Sequence, residues 1–125
     1  MKLDDTQPIY LQLANEIRQQ IVEGHLAEGE QVMSTTQYAQ QLRINPATAA
    51  KAFAELTATG VIYKKRGIGM FVAEGAREQL LEARRGTYFT EVLRPALEEA
   101  RRIGIKEEEL SNYVKTFISF REDQS

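Results

Sequence analysis

Apolar residues recur at intervals of three and four along most of the chain, a spacing typical of amphipathic helices. The first stripe spans residues 8–23, with Pro8 in its first turn and Gly24 just beyond its end. We therefore expect one helix between that proline and that glycine. Its core face is predicted to consist of Ile9, Leu11 or Leu13, Ile17, Ile21 and Val22.

Two shorter helices are predicted over residues 34–42 and 45–59. The first opens on Ser34 with a glutamine three residues later, which is the spacing of a capping box. The second has Asn45 to cap its free N–H groups, followed by Pro46, whose missing N–H and fixed φ suit the first helical position. Two short helices joined by about three residues form a helix-turn-helix. The inward side chains of the second helix are predicted to be Ala49, Ala52, Phe53 and Leu56.

A β-hairpin is predicted after Gly60, with strands over residues 61–64 and 70–72. The connecting segment 65–69 contains two glycines, which permit the positive φ of a tight turn. Its Gly-Ile-Gly sequence does not indicate a phosphate loop, because it joins two strands rather than opening a helix. With the preceding helices, the hairpin predicts a winged helix-turn-helix domain over residues 1–75. Three consecutive cations give the wing a basic tip: Lys64, Lys65 and Arg66.

A second, helical domain is predicted over residues 76–125. Helical spacing continues to Ile103, interrupted by Gly86 and Pro95. We expect either one helix kinked near that proline or two helices broken near that glycine. A last helix is predicted over residues 106–120. The fold class is therefore mainly α with a small β-hairpin (α+β): an N-terminal winged helix-turn-helix followed by a C-terminal helical pair.

The C-terminal helical pair has too few residues to bury much of its apolar surface alone. Packing against the same element of a second copy would cover that surface, so we expect a homodimer. The alternative is that the helices fold back on the first domain. The candidate dimer-interface residues are Tyr88, Phe89, Val92, Leu93, Ala96, Leu97, Leu110, Tyr113, Val114 and Phe117.

Charge is unevenly distributed along a chain whose net charge is −2. From Arg43 to Arg66 five basic residues accompany a single acidic residue, Glu55. A local positive surface of this kind can bind phosphate with an affinity that falls steeply as salt increases. In the predicted helix 45–59, Asn45, Thr48 and Lys51 are candidates for polar contacts with DNA. Ala47 and Ala50 could contact thymine methyl groups or permit close approach, although alanines also simply favour a helix.

Several function classes are not supported by the composition. The chain has no cysteine, and its one histidine, His25, lies in a loop between glycines. With no nucleophile–base pair and no metal-ligand spacing, we expect neither an enzyme nor a metal or cofactor site. No apolar run approaches the ~20 residues that span a bilayer, and the first residues lack the apolar core of a signal peptide. We expect a cytoplasmic location and no membrane partner.

Four blocks of sequence resemble the GntR family of bacterial transcription regulators. They are Pro-Ile-Tyr-Leu-Gln-Leu at 8–13, Gly-His-Leu-Ala-Glu-Gly-Glu at 24–30, Ala-Phe-Ala-Glu-Leu at 52–56 with Gly-Val-Ile at 60–62, and Arg-Gly-Ile-Gly-Met-Phe-Val at 66–72. The short C-terminal helical pair is similar to the YtrA-type subfamily. The resemblance implies a homodimeric repressor of a palindromic double-stranded DNA operator. It also implies that the helix from Asn45 enters the major groove and the wing touches the adjacent minor groove.

Four positions depart from the family pattern. Thr36 stands where the family usually has a phosphate-binding arginine. Ala50 stands where the recognition helix often has a second arginine. Arg43 stands where the turn usually has a glycine, and it could replace one of the two lost cations. Met70 stands where the wing usually has a threonine. The candidate DNA-binding residues are Ser34, Thr36, Arg43, Asn45, Pro46, Ala47, Thr48, Ala50, Lys51, Lys64, Lys65, Arg66, Gly67, Ile68 and Gly69.

Two questions stay open at the level of sequence. The rival function is a protein-interaction module in which the alanine face of the third helix docks a partner protein. A small-molecule effector is also open, since larger relatives carry a separate effector domain for which this chain has no room. Any pocket would form between the two domains or across the dimer, where Tyr88, Phe89, Tyr113 and Phe117 could line it or serve as core.

Overall fold

Three helices and a β-hairpin precede a second set of helices in the computed structural model, which describes residues 1–124 and their side chains as far as Phe120. The described elements are α1 (Ile9–Glu23), α2 (Thr35–Leu42), α3 (Pro46–Ala58), β1 (Ile62–Lys65), β2 (Gly69–Val72), α4 (Ala76–Tyr88), α5 (Arg94–Arg102) and α6 (Glu107–Gln124). A π-helical turn, Phe89–Leu93, joins α4 to α5. The predicted fold class, mainly α with a small β-hairpin, is confirmed.

The ends of the first three helices follow the capping residues that the sequence places there. Gly24 adopts a left-handed conformation (φ 84°) and ends α1. Ser34 and Gln37 form a reciprocal capping box at the start of α2. Asn45 Oδ1 accepts a hydrogen bond of 2.8 Å from the backbone N–H of Ala47, so the cap of α3 is formed as predicted. Pro8 differs from the prediction, because it precedes the first residue of α1 as its N-cap.

The hydrophobic core lies mainly between α1 and α3, the helix pair with the most contacts. Leu13 is fully buried whereas Leu11 is only half-buried, which decides between the two predicted positions. The four predicted inward residues of α3 are all buried. Tyr38 of α2 packs edge-on against Phe53 at 5.9 Å between ring centroids, and burial raises the pKa of its hydroxyl. These contacts fix the position of α3 relative to α1 and α2.

The wing has a third strand-like segment that the sequence did not predict. β1 pairs antiparallel with β2 in a register that runs from Ile62 opposite Val72 to Lys65 opposite Gly69. Residues 29–32 pair with β2 from its other side, through Gly29 N–H to Val72 O and Val32 N–H to Met70 O, both 2.8 Å. A two-stranded hairpin is only marginally stable in water, so this third segment supports the wing.

The helical region that begins at Ala76 is distorted near Pro95 rather than broken at Gly86. That glycine lies inside α4. Pro95 has no N–H to donate to the carbonyl four residues earlier, and the hydrogen bonds shift by one residue. The N–H of Arg94 accordingly donates to Phe89 O, five residues back. The helix is therefore not broken at Gly86, and its irregular turn lies just before Pro95.

The chain forms two compact units, one over Met1–Ala83 and one that begins at Arg84. The first turns of α4 belong to the first unit, because Ala76 is buried in its core. Arg77 Nε also donates to Val22 O at 3.0 Å. The predicted boundary after Gly75 thus coincides with the start of α4, and the packing of the first unit extends about two turns further. No helix within the described residues has both the length and the apolar character needed to cross a membrane.

Candidate nucleic-acid interface

The start of α3 presents small and polar side chains to solvent. Asn45, Ala47 and Ala50 are exposed and Thr48 is half-buried, while Ala49 on the opposite face is fully buried. Asn45 uses Oδ1 in the helix cap. Its amide nitrogen is a donor that the cap does not use. Pro46 occupies the first position of the helix, as predicted. Short side chains allow another macromolecule to approach the helix backbone closely.

Three predicted contact residues lie at the ends of α2. The Ser34 hydroxyl accepts from the Gln37 N–H at 3.1 Å, so its own proton can still be donated to a phosphate. Thr36 is exposed in the first turn. Arg43 follows the last residue of α2 with φ 55°, the only non-glycine residue with positive φ among those described. This left-handed conformation costs about 1 kcal/mol for a residue with a Cβ, which makes the arginine at this position notable.

Lys51 in the second turn of α3 has an aromatic partner. Its Nζ lies 4.2 Å from the centre of the Tyr10 ring, which belongs to the first turn of α1. The geometry is that of a cation–π contact. Lys51 is exposed and Tyr10 is half-buried. The ammonium group is therefore held at the surface of the helix by a ring that has no net charge of its own.

The cations of the wing are divided between two faces. Lys64 and Lys65 are neighbours in β1, so their side chains point to opposite faces of the hairpin. Lys65 Nζ lies 4.4 Å from the centre of the Phe71 ring. Only Arg66, Gly67 and Ile68 form the loop. The tip is thus shorter than predicted, since Lys65 and Gly69 pair with each other in the ladder.

Gln31 supports the wing and was missed by the sequence analysis. Its Nε2 donates to Ile68 O at 3.1 Å. A Cβ at Gly69 would lie 2.5 Å from the same nitrogen, and that glycine has φ 148°. Gly69 is therefore required chiefly for its backbone conformation, since the flexible end of the Gln31 side chain would have to move to make room for a Cβ. Gly67, with φ 78° and open space around it, is required only for its conformation.

The residues that the sequence missed are far along the chain from those they support. Tyr10 stands at helical spacing with Leu13 and Ile17, so the pattern marks it only as the edge of a core stripe. Gln31 lies in a polar loop with no periodic signal. Arg18, which pairs with Glu55 of α3, is likewise an ordinary polar position of an amphipathic helix. Proximity in space is what distinguishes these residues.

The second unit exposes most of its apolar side chains. Ala100 is the only buried residue among its described side chains. Leu93 and Leu110 are half-buried, and Ala96 is exposed. The predicted interface residues with large exposed side chains are Tyr88, Phe89, Val92, Leu97, Tyr113, Val114 and Phe117.

A hollow of about 390 Å³ lies within the second unit, lined by Phe89, Leu93, Arg94, Leu97, Glu98 and Arg101. Of the aromatic residues that the sequence suggested for an effector site, Phe89 thus borders a cavity. The described residues contain no cluster of three or more histidine, aspartate or glutamate side chains that could hold a metal ion.

Comparison with known families identifies the chain. Residues 9–72 match the family described as bacterial regulatory proteins, gntR family. The chain belongs to the GntR family. The resemblance noted in the sequence is thereby confirmed, and the matched segment contains α1, α2, α3 and the wing.

This GntR protein is similar to relatives over nearly its whole length. It is 30% identical over 108 residues to the HTH-type transcriptional repressor YtrA of Bacillus subtilis, which covers 86% of this chain and 82% of that one. The crystal structure of a transcriptional regulator from Oenococcus oeni superposes with a TM-score of 0.78 and 29% identity, over 94% of this chain and 97% of that one. The AraR DNA-binding domain in complex with operator ORX1 superposes with a TM-score of 0.54 and 26% identity, over 58% and 93% of the two chains.

Proposed function

We propose that this DNA-binding transcriptional regulator of the GntR family acts as a homodimeric repressor on a palindromic operator. The observation that carries the proposal is the exposed start of α3, where Asn45, Ala47, Ala50 and Lys51 face solvent without an acidic residue among them. The name of the YtrA relative supports repression. The similarity to the AraR domain in its operator complexes supports recognition of duplex DNA by the first unit.

In this proposal α3 lies in the major groove, which is wide enough to admit a helix. The amide nitrogen of Asn45 and the hydroxyl of Thr48 are placed to reach base edges or phosphates. Ala47 and Ala50 would contact thymine methyl groups. Ser34, Thr36 and Arg43 would contact phosphates at the start and end of α2, which position the protein without reading sequence.

The wing is assigned to the adjacent minor groove. Its cations would follow the phosphate backbone and supply attraction that depends on salt rather than on sequence. Gly67, Ile68 and Gly69 would bring the loop backbone close to the groove. Ile68 is 64% exposed at the tip, where it would meet the groove wall.

The homodimer in this proposal is supported by the second unit, in which Ala100 is the only buried residue among the described side chains. Covering its exposed apolar side chains with those of the same unit in a second copy would give the two copies a shared core. A two-fold axis between the copies would then relate two α3 helices, one for each half-site of a palindromic operator. We place the protein in the cytoplasm, where bacterial DNA lies, and assign it no catalytic activity.

The first test is a gel-shift titration, at low and moderate salt, with fragments of the DNA that lies upstream of the gene encoding this protein. We expect one fragment to be retained in excess over random duplex, with a stoichiometry of two chains per site. Equal and weak retention of all fragments would overturn the proposal in favour of a protein-interaction module.

The second test isolates the wing. Replacing Lys64, Lys65 and Arg66 together by alanine should weaken binding to specific and random duplexes alike, and reduce the salt slope by up to about three. The matched control replaces three exposed lysines that belong neither to α3 nor to the wing: Lys2, Lys106 and Lys115. Binding that is unchanged in the wing variant would remove the wing from the DNA contact.

A further inference from the structure

Two cations of the proposed DNA-binding surface contact aromatic rings instead of carboxylates. Lys51 Nζ lies 4.2 Å from the ring centre of Tyr10, and Lys65 Nζ lies 4.4 Å from that of Phe71. Both distances are within the ~6 Å over which a ring attracts a cation. Throughout the described part of the chain, neither ammonium group forms a salt bridge. The same arrangement thus occurs on two separate elements, α3 and the wing.

An aromatic ring holds a lysine without cancelling its charge. A carboxylate partner would neutralise the ammonium group and weaken its attraction for phosphate. The ring has no net charge, so the field of the cation still reaches the solvent. For a residue that has to attract a polyanion, the ring is the more suitable partner.

Tyr10 is well placed to restrict Lys51. It is the second residue of α1, and its half-buried ring packs against the core of the first unit. A free lysine side chain samples many rotamers and loses that freedom when its ammonium group is fixed on a phosphate. A lysine already held on a fixed ring has less freedom to lose, and this preorganisation favours binding.

We propose that Tyr10 is a positioning residue for DNA binding, and that its ring holds the Lys51 ammonium group ready to contact the phosphate backbone. The inference rests on the proposed function. It adds a residue of α1 to a surface otherwise formed by α2, α3 and the wing. Phe71 has the same relationship to Lys65.

The test is a double-mutant cycle on the full-length chain. Tyr10→Phe and Tyr10→Leu are each made in the wild-type and in the Lys51→Met background. The probe is a fluorescent duplex of random sequence, titrated by anisotropy at several salt concentrations, because phosphate contacts do not depend on sequence. Lys106→Met, which removes an exposed lysine between α5 and α6, is the matched control for loss of one charge. Thermal melting of every variant monitors the fold.

The ring, the cation and their coupling each have an expected result. Tyr10→Phe keeps the ring and should bind like the wild type. Tyr10→Leu keeps the apolar packing but should raise Kd about threefold at unchanged salt slope. Lys51→Met should lower the salt slope by about one, more than Lys106→Met does. In the Lys51→Met background, Tyr10→Leu should have no further effect on Kd.

Several results would overturn the inference. An equal loss from Tyr10→Leu in both backgrounds would assign Tyr10 a purely structural role. Tighter binding by Tyr10→Leu would mean that the ring competes with phosphate for the cation. A loss in Tyr10→Phe as large as in Tyr10→Leu would implicate the hydroxyl instead. Failure of the wild-type chain to bind any duplex would overturn the proposed function as well, whereas wild-type binding with additive losses would overturn only the role of Tyr10.

Discussion

Arg18 Nη2 lies 3.3 Å from Glu55 Oε1, so α1 neutralises the only acidic side chain between Arg43 and Arg66. Both side chains are partly buried, at 23% and 32% exposure. The second carboxylate oxygen of Glu55 is buried without a hydrogen-bond partner among the described residues. The pair therefore affects both the stability of the first unit and the potential at α3.

Arg18→Met should lower the free energy of unfolding by about 1–2 kcal/mol, because it leaves a half-buried carboxylate without its cation. The estimate is reduced from that for a fully buried pair, since water screens the partly exposed groups. Urea denaturation of the variant measures the loss. The double variant Arg18→Met, Glu55→Met should recover most of it. Wild-type stability in the single variant would show that the ion pair contributes nothing to the fold.

Arg43→Gly should change stability and DNA binding in opposite directions. Glycine relieves the left-handed backbone at this position, so the free energy of unfolding should rise by about 0.5–1 kcal/mol. Loss of the guanidinium should at the same time weaken duplex binding and lower the salt slope by about one. The measurements are thermal melting and anisotropy at several salt concentrations.

Arg43→Ala is the control for that prediction, because it removes the cation and keeps the strained backbone. It should bind DNA as weakly as Arg43→Gly without the gain in stability. Tight binding by either variant would exclude Arg43 from the phosphate contacts.

Gly69→Ala should disrupt the wing while leaving the helical core folded. Its Cβ would meet Gln31 Nε2 at 2.5 Å, and its φ of 148° is unfavourable for alanine. We expect DNA affinity to fall by about tenfold, which corresponds to about 1.4 kcal/mol, because the loop that carries Arg66 would shift. Gly67→Ala should have a smaller effect, because a φ of 78° is less costly for alanine than a φ of 148° and there is open space around its Cβ. Equal effects of the two variants would contradict the prediction that position 69 tolerates a Cβ less well than position 67.

A charged residue in the exposed apolar face of α6 should dissociate the proposed dimer. The Phe117 side chain is 57% exposed in the single chain and, by the proposal, buried in the dimer. Phe117→Glu would therefore place a carboxylate in the dimer interface. Light scattering should report a monomer at micromolar concentration, and binding to a palindromic duplex should weaken more than binding to one half-site. Ser119→Glu, on the opposite side of the same helix, is the control and should remain dimeric. A Phe117→Glu protein that is still dimeric would refute the assignment of this face.

The features that the sequence predicted correctly are those decided within a few residues. Asn45 and Pro46 define the start of α3 by themselves, because a cap acts on the N–H groups of the next turn. The choice between Gly86 and Pro95 required the structure, although a proline disturbs a helix by about 3 kcal/mol and a glycine by about 1 kcal/mol. The partners of Lys51 and Glu55 lie on α1, 37 residues away in the case of Arg18. No local pattern contains that information, and only the packing of α1 against α3 supplies it.

The π-helical turn before Pro95 has a consequence for every residue that follows it in α5. One extra residue in that turn rotates the later side chains about the helix axis by roughly 100° relative to an uninterrupted α-helix. A helical wheel continued from Tyr88 as a regular α-helix would therefore misplace Leu97 and Arg101. Each of them faces the direction that such a wheel assigns to a neighbouring residue. The direction in which the side chains of α5 face is thus determined by the N–H that Pro95 lacks.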